Sequence, residues 1–257
     1  MTALRVSTTT HDQVAVIRVD DPSTSNALSH RARVQATAAL ESVAADRDIR
    51  AVVLTGGDDT FLSGGDIGEL AADPTTAMAA RDGDRFWQAL DDVPVPVVAA
   101  VAGPVLGGGC EVALACDLVV AADGAVFGLP EVGLGILPGA GGVQRWGRVA
   151  GRLRAAAVAL AGQTVDAWTA WDLGLVSRVV PQQRTVAAGV ALAAEVAARP
   201  PLAVRSVLAS LADVEEVPLS VATARDRDRV TALLGTADAR EGFAAFLEQR
   251  PPRFIGR

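Results

Sequence analysis

The 257 residues carry a formal charge of −7; half are hydrophobic and 21% are charged, with 25 glycines and 13 prolines. A chain of this length and apolar content fills one large α/β core or two small ones, which excludes global disorder. All 23 basic residues are arginine, which excludes a P-loop lysine and Schiff-base chemistry, and the acidic balance argues against a nucleic-acid surface.

From the N-terminus, Met1 to Val19 has no basic region followed by an apolar core, so no signal peptide is expected. Val14 to Val19 reads as a short strand after a polar stretch. The turn Asp20-Asp21-Pro22-Ser23 follows, then a helical pattern from about Leu28 to Ala45. Ala51 to Thr55 is a continuous apolar run bounded by Gly56-Gly57, the pattern of a buried parallel strand, and Val95 to Val101 and Leu118 to Ala122 repeat it. Helical stretches separate these runs, Met78 to Leu90 among them, which predicts β-α-β units and a largely parallel sheet.

The longest uncharged run, Val93 to Cys110, spans 18 residues but contains Pro94, Pro96, Pro104 and four glycines. That density of breakers reads as strand, turn and helix start, not as a membrane span. Cys110 and Cys116 offer neither a disulfide framework nor metal-ligand spacing; they read as small core residues in a reduced, cytoplasmic compartment. From about Val143 onward, Ala- and Arg-rich helical segments dominate, with helix stops expected at Pro181, Pro200-Pro201 and Pro218. The expected organisation is an α/β core over residues 1–180 and a helical segment over 181–257, packed on that core or on a neighbour.

Three glycine-rich segments stand where strands should end: Phe61-Leu62-Ser63-Gly64-Gly65-Asp66-Ile67, then Gly107-Gly108-Gly109-Cys110-Glu111, then Phe127-Gly128-Leu129-Pro130-Glu131 with Leu137-Pro138-Gly139-Ala140-Gly141-Gly142 after it. In an open α/β sheet the carboxyl ends of strands are where ligands bind. Glycines opening a helix leave bare N–H groups able to stabilise an oxyanion, although the same pattern also serves a plain strand-to-helix turn. Glu111 and Glu131 supply two carboxylates. Each alone is explained as a surface or capping group; beside two amide-bearing loops they suggest acid–base chemistry, since a carboxyl in apolar surroundings has its pKa raised. His11 and His30 sit in no Ser/Asp motif, so a hydrolase triad is not expected, and the glycine spacing around Gly133 and Gly135 does not fit a dinucleotide fingerprint. Trp87 reads as core, with pocket lining the alternative, and Arg225 to Arg229 as a solvated helix face.

Taken together these segments resemble the crotonase superfamily, specifically its enoyl-CoA hydratases. The likeness runs from Asn26-Ala27-Leu28 through Ala51 to Gly56, Ser63 to Ile67, Pro96 to Val101, Gly107 to Glu111, Phe127-Gly128, Pro130-Glu131 and Pro138 to Gly142, to Gly174-Leu175-Val176 and Arg250 to Phe254. The order and spacing of these pieces, not any one of them, carries it.

What the resemblance implies is an α/β fold, a crotonase-like spiral of β-β-α turns with a helical C-terminal trimerisation segment, assembled as a homotrimer or dimer of trimers. It implies an acyl-CoA thioester substrate, no nucleic acid or membrane partner, no metal, and no cofactor beyond the coenzyme A of the substrate. By position, Gly65 and Gly108 are expected to be the backbone donors of an oxyanion hole, worth about 3–4 kcal/mol per donor. Glu111 is expected to help activate a water and Glu131 to supply the α-proton. Ser63, Gly64, Asp66, Ile67, Gly68, Trp87, Pro138 and Gly139 are expected to contact substrate. Arg18 and Arg253 are candidates for the CoA phosphates, since this chain has Asp20-Asp21-Pro22 where relatives carry basic residues. Two glutamates favour hydration of a 2-enoyl-CoA; an enoyl-CoA isomerase, another crotonase-type lyase, and a catalytically silent acyl-CoA binder are the alternatives.

Overall fold

In the computed structural model, residues 4–72 and 85–257 are described. Strands β1 (Arg5–His11), β2 (Val14–Asp20), β3 (Ala51–Thr55), β4 (Val97–Val101), β6 (Leu118–Ala122) and β9 (Arg178–Val180) form one sheet in the order β1-β2-β3-β4-β6-β9. Only the β1–β2 pair is antiparallel; the other four pairings are parallel. A second sheet joins β5 (Pro104–Leu106), β7 (Val126–Gly128) and β8 (Thr164–Asp166).

The apolar runs form the central strands because both faces of the sheet are covered. Ile17, Val52, Leu54, Ala99 and Val119 belong to the larger core, which also holds Leu40 of helix α1 (His30–Ala45). The alternate residues Val16, Val53, Val98, Ala100 and Val120 belong to a second core with Ala193 and Ala197. Those alanines lie on a helix, Thr185–Ala197, drawn so close that a Cβ on its Gly189 would stand 2.9 Å from Ala100 Cβ. The helical segment after Val180 therefore begins with an element built into the sheet.

Several local expectations are corrected. The polar stretch before Val14 is itself strand β1, whose exposed edge tolerates threonines that mimic loop composition. The glycine triplet follows β5 of the second sheet, not the Val97–Val101 strand, and Phe127-Gly128 lies inside β7. Pro181 ends strand β9 instead of a helix; the stops expected at Pro200-Pro201 and Pro218 do follow the helices Thr185–Ala197 and Pro201–Glu216, and the same prolines stand at the starts of Pro201–Glu216 and Leu219–Leu234. A proline there has no N–H to leave unpaired. Of the helical stretch Met78 to Leu90, residues 78–84 lie outside the described residues; the rest enters a helix at Arg85–Asp91 that packs on α1.

Candidate active site

The Ser63–Asp66 loop is held from several directions before it reaches the site. Asn26 is buried in the left-handed conformation at φ 60°. Its Oδ1 accepts from the Asp21 N–H at 2.6 Å, and its Nδ2 donates to Phe61 O at 2.9 Å and Thr60 O at 3.2 Å. Two residues on, the Leu28 N–H donates to Gly64 O at 2.8 Å, and Leu28 forms a parallel bridge with Gly65. Ser63 Oγ donates to Thr24 O at 3.2 Å. Asp66 Oδ1 accepts from the Glu69 N–H at 3.1 Å and so caps the short helix Ile67–Ala72, on which Ile67 and Gly68 are exposed.

The second loop opens helix α4, which we number after α2 (Ile67–Ala72) and α3 (Arg85–Asp91); α4 spans Gly108–Ala115. Gly108 is its first residue, so the Gly108 N–H is one of the helix-start donors with no intrahelical acceptor, at the positive end of the helix dipole. The Gly65 amide nitrogen lies 3.5 Å from the position a Gly108 Cβ would occupy. Both residues are half-buried, and among the described residues neither N–H donates a hydrogen bond. Two amides from separate loops, neither with an acceptor among the described residues, thus lie close to each other.

One turn into α4 stands Glu111, 4% exposed. A carboxylate so deeply buried needs donors. It has them: Oε1 accepts from the Ala140 N–H at 2.7 Å and the Gly142 N–H at 2.9 Å. Glu131 follows strand β7 in the short 3-10 turn Pro130–Leu134. It is half-buried, and its Oε2 is buried without a hydrogen-bond partner among the described residues. Burial pushes the Glu131 carboxyl above its ordinary range; a hydrogen bond from its own backbone opposes this, and the Glu111 charge adds to the rise. The two acids therefore differ in kind. Glu111 accepts from two peptide N–H groups, whereas the Glu131 carboxyl has its pKa raised by burial, with one oxygen unpaired among the described residues.

The other expected site residues fall as follows. Pro138 is buried and Gly139 exposed, and their tract runs directly into the Ala140–Gly142 turn that holds Glu111. Trp87 is half-buried on α3, packed on the larger core and edge-to-face with Phe86 at 5.3 Å. Arg18 is exposed at the carboxyl end of β2, its guanidinium over Gly57. The Arg253 N–H donates to Glu241 at 2.8 Å, and its neighbour Phe254 accepts from Arg50, which precedes β3. Within one chain the tail therefore lies toward the amino ends of the strands, away from the glycine loops. Both cysteines are buried free thiols; the Cys110 thiol, pushed up to about 12 by burial, accepts from Trp146 Nε1 at 3.4 Å. Among the described residues no cluster of three His, Cys, Asp or Glu could hold a metal ion, and no single helix is long and apolar enough to cross a membrane.

Residue-by-residue reading missed the supports of this site: Asn26 as the brace of the first loop, and the Ala140 and Gly142 amides as the clamp on Glu111. The Pro-Gly-Ala-Gly-Gly run signalled exposed amides, but not which group they serve.

A protein family described as enoyl-CoA hydratase/isomerase matches residues 9–257. The 2,3-dehydroadipyl-CoA hydratase of Escherichia coli is 39% identical over 245 residues, covering 95% of this chain and 96% of that protein. The crotonyl-CoA hydratase of Syntrophomonas wolfei is 34% identical over 251 residues, covering 96% of each. Among solved structures, an enoyl-CoA hydratase subunit of Geobacillus kaustophilus superposes with a TM-score of 0.93 at 37% identity, covering 98% of both chains. An enoyl-CoA hydratase of Bacillus anthracis gives 0.91 at 31%.

Proposed function

The chain belongs to the enoyl-CoA hydratase/isomerase family and has its crotonase fold, and we propose that within this family it is an enoyl-CoA hydratase, adding water across the double bond of a 2-trans-enoyl-CoA to give a 3-hydroxyacyl-CoA. The observation that carries this reading is the unlike pair of carboxyls: Glu111 buried and clamped by two amides, Glu131 biased toward its protonated form.

In this mechanism the thioester oxygen sits between the Gly65 and Gly108 N–H groups and gains negative charge as the enolate forms. The Glu111 carboxylate takes a proton from water as the water oxygen bonds to the β-carbon. Glu131 gives its proton to the α-carbon. Passage of the proton held by Glu111 back to Glu131 restores both groups, for a net addition of one water. Ser63, Gly64, Asp66, Ile67 and Gly68 line the approach of the thioester arm, with Trp87, Pro138 and Gly139 toward the acyl chain. The reaction needs no metal and no cofactor beyond the substrate's own coenzyme A. The setting is cytoplasmic, in keeping with two buried free thiols.

The protein acts as a homotrimer or dimer of trimers. Support comes from the large apolar side chains that one chain leaves bare on its C-terminal helices, where Phe246 is 82% and Leu247 80% exposed. Light scattering at micromolar concentration should give three or six times the 26.3 kDa chain mass; a monomer would refute the assembly.

The deciding measurement is loss of conjugated-thioester absorbance with crotonyl-CoA and longer 2-enoyl-CoAs. Rapid loss that disappears in Glu131→Gln supports hydration. No loss at any chain length, with thioester binding intact, overturns it, and 3-enoyl-CoAs then separate an isomerase from a silent binder.

A further inference from the structure

The amide clamp on Glu111 rests on a peptide that could face either way. Ala140 and Gly142 both donate to Glu111 Oε1. The Ala140–Gly141 peptide joins the two peptides that carry these donors, so a turn of it displaces them. Gly141 has φ 89°, a conformation that costs glycine little, so the chain geometry alone does not hold this peptide in place.

Arg145, half-buried in the helix Gly142–Ala150, donates from Nη1 to Ala140 O at 2.8 Å. The guanidinium lies over the turn itself: a Cβ on Gly141 would stand 2.6 Å from Arg145 Nη1. Arg145 thus holds the carbonyl of the peptide between the two donors, while its backbone N–H holds the next carbonyl, Gly141 O, at 2.9 Å. Release of the Ala140 carbonyl would let the turn, and with it the two amides on Glu111, shift in a buried site where electrostatic terms are large.

We propose that Arg145 is a positioning residue for Glu111: through the Ala140 carbonyl it locks the turn whose amides hold the Glu111 carboxylate in its working orientation. Arg145 does not touch the reacting atoms. The inference rests on the hydratase reading, because it assigns Glu111 work to be positioned for. It also explains the two glycines at the helix start, Gly141 before it and Gly142 as its first residue, which leave room for the guanidinium and the carboxyl group respectively.

The test compares Arg145→Gln and Arg145→Lys with the unaltered protein, using crotonyl-CoA hydration and the binding of saturated butyryl-CoA, which cannot be hydrated. Displacement of a catalytic group by about 1 Å costs on the order of 100-fold in rate. R145Q should therefore lose about 30- to 100-fold in kcat, with KM and the butyryl-CoA Kd within twofold. R145K keeps a donor for Ala140 O and should recover at least tenfold of that loss. In a Glu111→Gln background, R145Q should add less than threefold, since there is no carboxylate left to position. An unchanged kcat in R145Q, an equal loss in R145K, or a full additional loss in the Glu111→Gln background would each overturn the proposal. So would failure of R145Q to fold, which would make Arg145 a fold residue. If the unaltered protein hydrates no 2-enoyl-CoA, the hydratase reading fails instead, and the two failures are distinct.

Discussion

The Glu131 carboxylate occupies the space a side chain on Gly107 would need: a Cβ there would stand 2.7 Å from Glu131 Oε1 and 3.3 Å from its carboxyl carbon. Gly107 also has φ 52° and ψ −126°, and its N–H donates to Gly128 O at 3.0 Å, so β5 and β7 meet at this residue. The first glycine of the triplet thus serves an acid that lies 24 positions further along the chain.

Gly107→Ala should consequently fail twice. The backbone conformation costs about 1–3 kcal/mol with a side chain present, and the methyl group drives Glu131 from its seat. We expect a lowered urea midpoint and loss of most crotonyl-CoA hydration, while Gly133→Ala, whose added Cβ meets nothing within 4 Å, serves as the matched control. Normal turnover in G107A would show that the seat is unimportant.

Glu131 makes stability depend on pH in a direction opposite to most acids. Its folded pKa is raised by burial, so the folded state binds the proton more tightly than the unfolded chain does. Its contribution is fully present below the ordinary glutamate value of about 4.3 and is lost as pH rises through the raised folded value. Glu131→Gln should melt near the unaltered protein at pH 4 and above it at pH 8. A constant difference across that range would contradict the assignment. The hydration rate should fall along an alkaline limb as Glu131 loses its proton.

Asn26 should matter out of proportion to its size. Asn26→Ala strands the Phe61 and Thr60 carbonyls and the Asp21 N–H, at about 1–3 kcal/mol for each buried group left unpaired. Asn26→Asp keeps an acceptor for Asp21 but sets a carboxylate against carbonyl oxygens, so it should be no better at neutral pH. Both should slow hydration by loosening the Gly65 loop. Chemical denaturation alongside kcat checks this, and wild-type stability in either variant would contradict it.

The helices Pro201–Glu216 and Leu219–Leu234 are joined by an ion-pair cluster of the opposite sign. Asp213, 5% exposed, pairs with Arg229 at 2.7 Å and with Arg225. Arg229 first and then Arg225 hold its carboxyl below the usual aspartate range. A depressed folded pKa stabilises above the ordinary value near 4 and is lost as pH falls through the lower folded value. Asp213→Asn should lower the melting temperature at pH 7, and the gap should close on acidification below about pH 4. An equal gap at pH 7 and pH 3 would refute the linkage.

How much of this was legible before folding follows from the range of each interaction. Ala51 to Thr55, Val97 to Val101 and Leu118 to Ala122 announce themselves because strands buried on both faces must be apolar at every position. Strands β5, β7 and β8, of three residues each, are too short to show a period and exist only through pairing with one another. The helix after Gly107 and the two acids of the site could be read directly, since glycine before a helix and glutamate in an apolar stretch are local signals. The sequence alone therefore named the candidates for chemistry. The tertiary structure decided what each becomes: Glu111 an acceptor for amides 29 and 31 positions away, Glu131 an acid with one oxygen unpaired among the described residues. The two carboxyls are chemically identical in the chain; they differ only because folding surrounds one with peptide N–H groups and buries the other without enough of them.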